Sequence, residues 1–316
     1  MLSKPTLALT KDRTQKAQLN TICGDPEAWF DSDAFRTYNL YAASFDFFVD
    51  WTQEKICDEV WIKRMSDSAD IRHLSEEELL GLIAECDGKE KANSLYCFLK
   101  AWRMKQKYML FRDVPEAKWK DGTEKVVEVD MTKYQKGAVS YLDVNEIQMR
   151  IQKLRKVPAP IGNAGLIYST SSLEGYLSRQ EYFWPGDADT VLYDGDYHVA
   201  AVIEFKKHTA SSRISFQNQG IRNYLARDIL KYKSLALLRD LFHTRLFVIY
   251  YPIPQNIRYV IVEELKGSPG FLYAGKRVEL DLPVWGDAET RKAFAGEFIN
   301  QVLKDGRKGA EKWQTE

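Results

Sequence analysis

The sequence predicts an α/β (α+β) protein, in which a helical N-terminal region precedes a core of helices flanking a mixed β-sheet. Two periodicities support this fold class. Bulky apolar residues recur among charges at helical spacing through residues 26–112, whereas the C-terminal half contains short apolar runs typical of strands. The chain has 316 residues, of which 45% are hydrophobic and 13% aromatic, so it can bury a sizeable core.

The N-terminal region is predicted to be mostly helical. In "LSEEELLGLIAEC", Ser75 and Glu78 have capping-box spacing and precede an apolar stripe, and "KANSLYCFLKAWRMKQKYMLF" has the pattern of another amphipathic helix. A less regular stretch at 112–137 contains a proline and an Asp-Gly pair, which favours a domain boundary there. We therefore expect a recognition or partner-binding region at 1–140 and a second domain at 141–316.

The C-terminal half is predicted to alternate between helices and strands. "SSLEGYLSRQ" indicates a short helix, and "DADTVLY" and "YHVAAVIEF" indicate two strands joined by a turn at "DGD". "QNQGIRNYLARDILKYKSLALLRDLF" indicates a long amphipathic helix, and "RLFVIYYPI" and "IRYVIVEEL" indicate two further strands. The order α-β-β-α-β-β favours a mixed sheet with helices packed on it. No internal repeat is visible in the sequence.

Charge and cysteine content narrow the function classes. Lys plus Arg equals Asp plus Glu at 45 each, which removes the strongly basic signature of a constitutive nucleic-acid binder but allows a local basic groove. The four cysteines are scattered and form no CxxC pair, as is usual in a reducing cytosol. Because the N-terminus lacks the apolar region of a signal peptide and no long apolar run occurs, we expect a cytoplasmic protein without a membrane partner.

The most concentrated chemistry lies in "WPGDADTVLYDGDYHVAAVIEFKKHT", residues 184–209. Side chains alternate along a strand, so Glu204 and Lys206 share one face and Phe205 lies on the other. With a two-residue turn at "DGD", paired residue numbers sum to an odd value, which brings Asp189 onto the face of Glu204 and Lys206. A three-residue loop would break this arrangement.

Such a cluster of two carboxylates and an ammonium group suits a metal site. Carboxylates held close together repel each other unless a cation lies between them. Hard oxygen ligands with open coordination positions suit Mg²⁺ or Mn²⁺. Such a metal polarises a phosphate and activates a water molecule, which a neighbouring ammonium group can orient. These residue types therefore match the requirements of phosphodiester hydrolysis.

The pattern D-x14-E-F-K, on a hairpin with helices before and after it, resembles the PD-(D/E)XK nuclease superfamily over about residues 165–260. The resemblance implies a restriction-endonuclease-like core, with Asp189 and Glu204 as ligands of Mg²⁺ or Mn²⁺ and Lys206 as the catalytic lysine. A glycine separates the proline from the first aspartate of this sequence, so Asp187 stays an alternative metal ligand.

A glutamate from the preceding helix often joins the site in that superfamily, and Glu174 is the candidate here. Ser171 and Glu174 also have capping-box spacing, so a purely capping role for Glu174 is equally open.

Four polar residues near the motif are candidates for substrate binding. Arg213 and Gln217 lie in "HTASSRISFQNQG", where they could hold a nucleic-acid backbone, although a polar loop is the more common explanation. Lys207 and His208 directly follow the lysine of the motif. A lone histidine is more often a packed residue than a functional one.

The resemblance implies a metal-dependent nuclease that hydrolyses phosphodiester bonds, with DNA expected ahead of RNA, in restriction, repair or phage defence. The alternative is a nuclease-like module that binds nucleic acid or a protein partner without cutting. A third hypothesis is a structural subunit of a larger assembly, with the aromatic N-terminal region as its interface. A homodimer or a larger assembly is compatible with the sequence.

Overall fold

The computed structural model describes residues 1–132, 138–158 and 165–304, and it confirms an α/β fold in which helices flank mixed β-structure. The strands are β1 (Leu2–Ser3), β2 (Ala8–Leu9), β3 (Asp12–Lys16), β4 (Leu40–Asp50), β5 (Lys55–Ser66), β6 (Lys105–Phe111), β7 (Val126–Asp130), β8 (Ala138–Leu142), β9 (Tyr168–Ser169), β10 (Gly186–Asp194), β11 (Val199–His208), β12 (Leu246–Pro252), β13 (Tyr259–Ser268) and β14 (Phe271–Asp281). The helices are α1 (Glu27–Phe30), α2 (Asp33–Arg36), α3 (Glu76–Asp87), α4 (Lys89–Ala101), α5 (Glu116–Lys120), α6 (Val144–Arg155), α7 (Ser172–Leu177), α8 (Ile229–Leu241) and α9 (Ala288–Glu297). Within these described ranges, no helix has the length and apolar character needed to cross a membrane.

The chain folds into two compact units. The first comprises Met1–Ala17 and Phe45–Asp187, and the second comprises Gln18–Ser44 and Ala188–Glu316. The boundary predicted near residue 140 differs from this division, because α6 and α7 bury apolar side chains in the core of the first unit. The division also passes through β10, so that Gly186 and Asp187 belong to the first unit and the rest of the hairpin to the second.

The first unit is built on a mixed sheet. Strand β5 pairs antiparallel with β1 and β4 and parallel with β6, and β7 and β8 follow as antiparallel neighbours. Helix α6 and helix α7 pack against one cluster of this unit, which is centred on the buried rings of Trp61, Trp119 and Trp184. Aromatic side chains of this size supply a large part of the apolar area that a small core buries.

In the second unit, strands β10 to β14 also pair in a mixed pattern. Strands β10 and β11 form an antiparallel hairpin, β12 pairs parallel with β11, and β13 and β14 continue antiparallel. An aromatic cluster that includes Trp29, Phe30 and Phe294 joins α1 and α9 to this sheet. The odd-numbered residues Ile203 and Phe205 of β11 face this cluster, which directs the even-numbered residues of the strand to the opposite face.

Part of the element order recurs in the two units, although α5 lies between β6 and β7 in the first unit and no described helix lies between β12 and β13 in the second. In each, a hairpin (β4–β5 or β10–β11) leads through helix to a strand parallel to its second arm, and two antiparallel strands and a helix complete the set. The connecting helices are α3 and α4 in the first unit and α8 in the second. The sequence shows no repeat, so this similarity lies in the topology alone.

The prediction of a mostly helical N-terminal region is wrong, because residues 40–66 form β4 and β5 and residues 105–111 form β6. The sequence "LYAASFDFFVD" is rich in aromatic residues that are buried on both faces of a strand, and such a run has no clear period. The predicted helix "KANSLYCFLKAWRMKQKYMLF" ends at Ala101, and Arg103 takes a positive φ of 57° before β6 begins. The capping box at α3 is confirmed.

Candidate active site

The hairpin that carries the acidic motif closes through a three-residue loop, residues 195–197, rather than the predicted two-residue turn. The Asp194 N–H donates to His198 O over 2.9 Å, and the Tyr197 N–H donates to Asp194 O over 2.9 Å. Tyr197 has a φ of 66°, the left-handed conformation that ends three-residue hairpin loops.

A β-bulge next to this loop restores the register that the prediction requires. Tyr193 pairs with Val199, whereas Leu192 pairs with Ala201, so β11 contains one extra residue between these pairs. Beyond the bulge, paired residue numbers again sum to an odd value, as in the pair Thr190 with Ile203. The loop length was predicted wrongly, but the parity of the strands is the one predicted.

Continued by one residue, this register brings Asp189 opposite Glu204. The Oδ2 atom of Asp189 accepts a hydrogen bond of 2.8 Å from the N–H of Phe205, which fixes the carboxylate beside the second strand. Asp189 is half-buried, whereas Glu204 is only 1% exposed. The hairpin therefore holds an accessible carboxylate next to a buried one.

The buried carboxylate of Glu204 is balanced by two lysines. Its Oε1 atom lies 2.8 Å from Nζ of Lys231 and 3.2 Å from Nζ of Lys206. Its Oε2 atom is buried and has no hydrogen-bond partner among the described residues. A buried carboxylate oxygen without a partner is energetically costly, so this atom can accept a cation or a water molecule.

The ammonium group of Lys206 is held on several sides. Besides Glu204, it contacts Oδ2 of Asp228 at 3.5 Å, and it lies 5.4 Å from the ring centres of both Tyr224 and Tyr232. Cation–π contacts of this kind stabilise an ammonium group that has left bulk water. Lys206 is therefore oriented by the protein itself.

Helix α8 and the turn before it supply the partners that the sequence interpretation did not assign to the site. The predicted long helix begins only at Ile229, so Asp228 precedes it and Lys231 and Tyr232 lie in its first turn. Burial, followed by the nearby Glu204 carboxylate, raises the pKa of Tyr232, whose hydroxyl has no hydrogen-bond partner among the described residues. In the sequence, the apolar spacing of Tyr232 indicated a buried face, and Lys231 counted only toward the basic character of the helix, which more often marks a solvated face than a phosphate contact.

The pKa of Asp228 reflects opposing influences. Burial alone would raise it, but hydrogen bonds from Arg227 and the charge of Lys206 bring the pKa below its ordinary value. Asp228 is therefore an anion at neutral pH, and its Oδ2 atom pairs with the ammonium group of Lys206.

Asp187 and Glu174 lie in the first unit and have other surroundings. Asp187 is close enough to the buried Asp46 to help raise its pKa to about 7; burial is the larger cause, and Lys63 opposes both. Glu174 accepts hydrogen bonds from the N–H of Thr170 at 2.6 Å and from its hydroxyl at 2.5 Å. The cap of α7 is the Ser171 hydroxyl, which accepts from the N–H of Glu174, and the Glu174 carboxylate holds the residue before that cap instead of making the reciprocal bond of a capping box.

Of the four candidate substrate-binding residues, two are exposed and two contact other parts of the protein. Arg213 and Gln217 are exposed. Lys207 donates to the backbone O of Gln18 over 3.1 Å, and burial lowers its pKa. His208 is packed instead.

The His208 ring lies 5.3 Å from the ring of Phe216, and its Nδ1 is 3.0 Å from the amide nitrogen of Gln219. Burial lowers the pKa of His208. These contacts agree with the interpretation of His208 as a packed residue.

Two sets of residues could hold a metal ion. Within the described ranges, Asp194, Asp196 and His198 form the one group of three potential metal-binding residues whose ligand atoms all lie within 4.8 Å of one another. The Asp194 carboxylate already accepts hydrogen bonds from the N–H groups of Asp196 and His198, as in an ordinary turn. Asp189 and Glu204 offer two carboxylates, which suits Mg²⁺ because this ion usually binds one or two carboxylates and keeps several waters.

The fold and the site together define an α/β protein with an acid–acid–lysine set on one face of a hairpin. A scan against protein-family models and searches of curated proteins and of solved structures found no match to the chain. Any function must therefore be argued from the site itself.

Proposed function

We propose that the protein is a metal-dependent nuclease that hydrolyses phosphodiester bonds, with DNA as the expected substrate ahead of RNA. One observation carries this proposal: Asp189, Glu204 and Lys206 share a hairpin face, and Oε2 of Glu204 is buried without a hydrogen-bond partner among the described residues. The similarity to the PD-(D/E)XK pattern supports the same function.

Each residue of the set has a distinct role in this proposal. The carboxylates of Asp189 and Glu204 would hold Mg²⁺ or Mn²⁺, which when bound supplies Lewis-acid polarisation of a phosphate and lowers the pKa of a water molecule. Lys206 would orient the attacking water through its ammonium group, whose position is fixed by Asp228 and the two tyrosine rings.

One observation favours a second candidate, a nuclease-like module that binds nucleic acid without cutting it. Lys231 lies closer to Glu204 than Lys206 does, and its ammonium group contacts one of the two oxygens that a metal would need. In that case Lys206 and Lys231 would serve only to neutralise a buried charge. Binding would then be insensitive to divalent cations, whereas cleavage requires them.

Metal-dependent cleavage tests the proposal. Supercoiled plasmid, linear duplex, single-stranded DNA and RNA should be incubated with the protein in Mg²⁺, in Mn²⁺ and in EDTA. We expect cleavage only with the cations, and its loss in D189N, E204Q and K206M with circular dichroism unchanged. Glu279→Gln, which neutralises an exposed acid on β14, is the matched control. Cleavage that persists in E204Q, or binding without cleavage in either cation, would contradict the nuclease.

A further inference from the structure

We propose that Lys231 is a built-in competitor for the divalent cation: its ammonium group takes the place of the metal beside Glu204 and must leave before the metal binds. This inference rests on the proposed function, since it concerns the same pair of carboxylates. It adds a residue of α8 that the motif D-x14-E-F-K does not contain.

The geometry distinguishes Lys231 from Lys206. Both ammonium groups contact Oε1 of Glu204, and that of Lys206 lies 5.4 Å from the ring centres of both Tyr224 and Tyr232. The Lys231 side chain is 32% exposed, against 16% for Lys206. A flexible, partly exposed side chain leaves a contact at lower cost than an enclosed one. Lys231 is therefore the counterion that can be displaced.

Electrostatic repulsion explains why the ammonium group of Lys231 and the metal ion exclude each other beside Glu204. Glu204 is 1% exposed and needs a nearby positive charge in the absence of metal, which Lys231 supplies at 2.8 Å. A divalent cation at the same carboxylate would lie within a few ångströms of that ammonium group, and like charges this close repel strongly in a partly buried site. Binding of the metal therefore requires Lys231 to swing away on its four-carbon stem.

Competition of this kind makes the measured metal affinity weaker than the carboxylates alone would give. Replacing Lys231 with methionine keeps the length of the stem and removes the charge. The variant should bind the metal more tightly, although in EDTA it should be less stable than the wild type, because Glu204 then lacks its nearest counterion. These two changes have opposite signs, which a general loss of packing would not produce.

Mn²⁺ titration by calorimetry, with melting temperature in EDTA and in Mn²⁺, tests the inference on the full chain. We expect Lys231→Met to tighten the Mn²⁺ dissociation constant by about tenfold, the order expected when one nearby charge is removed. Lys231→Gln, which keeps a polar contact, should show a smaller gain in the same direction. Lys233→Met removes a charge from the same helix about 200° around its axis, and its affinity should equal that of the wild type.

The outcomes separate this inference from the proposed function. If E204Q abolishes Mn²⁺ binding while Lys231→Met binds no more tightly than the wild type, the metal site stands and the competition is refuted. Weaker binding in Lys231→Met would refute it as well. If Mn²⁺ binds to none of these proteins, or binds to E204Q as tightly as to the wild type, both the metal site and the competition are refuted.

Discussion

Replacing Lys206 with methionine should destabilise the second unit, because it removes one of the two ammonium groups that balance the buried Glu204. The Nζ atom of Lys206 lies 3.2 Å from Glu204 and 3.5 Å from Asp228, and it faces the rings of Tyr224 and Tyr232. Methionine keeps most of the apolar stem, so the substitution removes mainly the charge.

The expected loss in the free energy of unfolding is about 2 kcal/mol, which is less than the roughly 3–5 kcal/mol lost when a buried charge is left with no counterion. At an effective dielectric constant of about 20, unit charges at the Glu204–Lys206 separation of 3.2 Å attract by about 5 kcal/mol. Desolvation offsets most of that attraction, and each cation–π contact adds about 0.5–1 kcal/mol. Because Lys231 stays 2.8 Å from the same oxygen, the carboxylate is not left without a counterion.

Urea unfolding followed by tryptophan fluorescence and circular dichroism measures this loss. Lys292→Met, at an exposed position of α9, is the control for removal of a lysine charge. A double-mutant cycle with Glu204→Gln should give a coupling free energy of about 1 kcal/mol or more, since the two groups are in contact. A loss below about 0.5 kcal/mol, or additive single effects, would refute the idea that Lys206 neutralises Glu204.

Two further predictions concern His208, the last residue of β11, and Glu174 in helix α7 of the first unit. Burial lowers the pKa of His208, so the folded state binds fewer protons than the unfolded state; stability should be complete above the ordinary value of 6.5 and fall as the pH drops below it. The melting temperature at pH 7 and pH 5 should show this fall, and it should shrink in His208→Phe. Glu174→Ala should cost about 1 kcal/mol because it removes the carboxylate that accepts from the N–H and the hydroxyl of Thr170, so the melting temperature should fall while cleavage persists; lost cleavage at unchanged stability would instead favour a catalytic role.

Local signals in the sequence predicted local structure well. The capping box at Ser75 begins α3, because a side chain that satisfies free backbone N–H groups acts within one turn. Long-range pairing was harder to foresee. The residues of β4 are apolar on both faces, so their helical or extended state depends on which neighbours bury them.

The residues that surround the candidate site were likewise difficult to predict from the sequence. Asp189, Glu204 and Lys206 could be grouped from strand alternation, since they lie on two arms of one hairpin. Lys231 and Asp228 reach the site only because α8 starts at Ile229, after two short 3₁₀ turns. Helix starts without a capping side chain carry little signal, and no side-chain cap is formed at Asp228.

The face on which Glu204 lies is set by apolar burial rather than by the turn. Ile203, Phe205 and Leu192 all belong to the aromatic core of the second unit. A slip of one residue would expose these side chains and drive Glu204 into that core, at a cost of several kcal/mol for the charge alone. The three-residue loop is therefore compatible with the predicted parity, because the bulge between Leu192 and Tyr193 absorbs the extra residue. Alternating burial along β11 is thus stronger evidence for the shared face of Asp189 and Glu204 than the length of the loop.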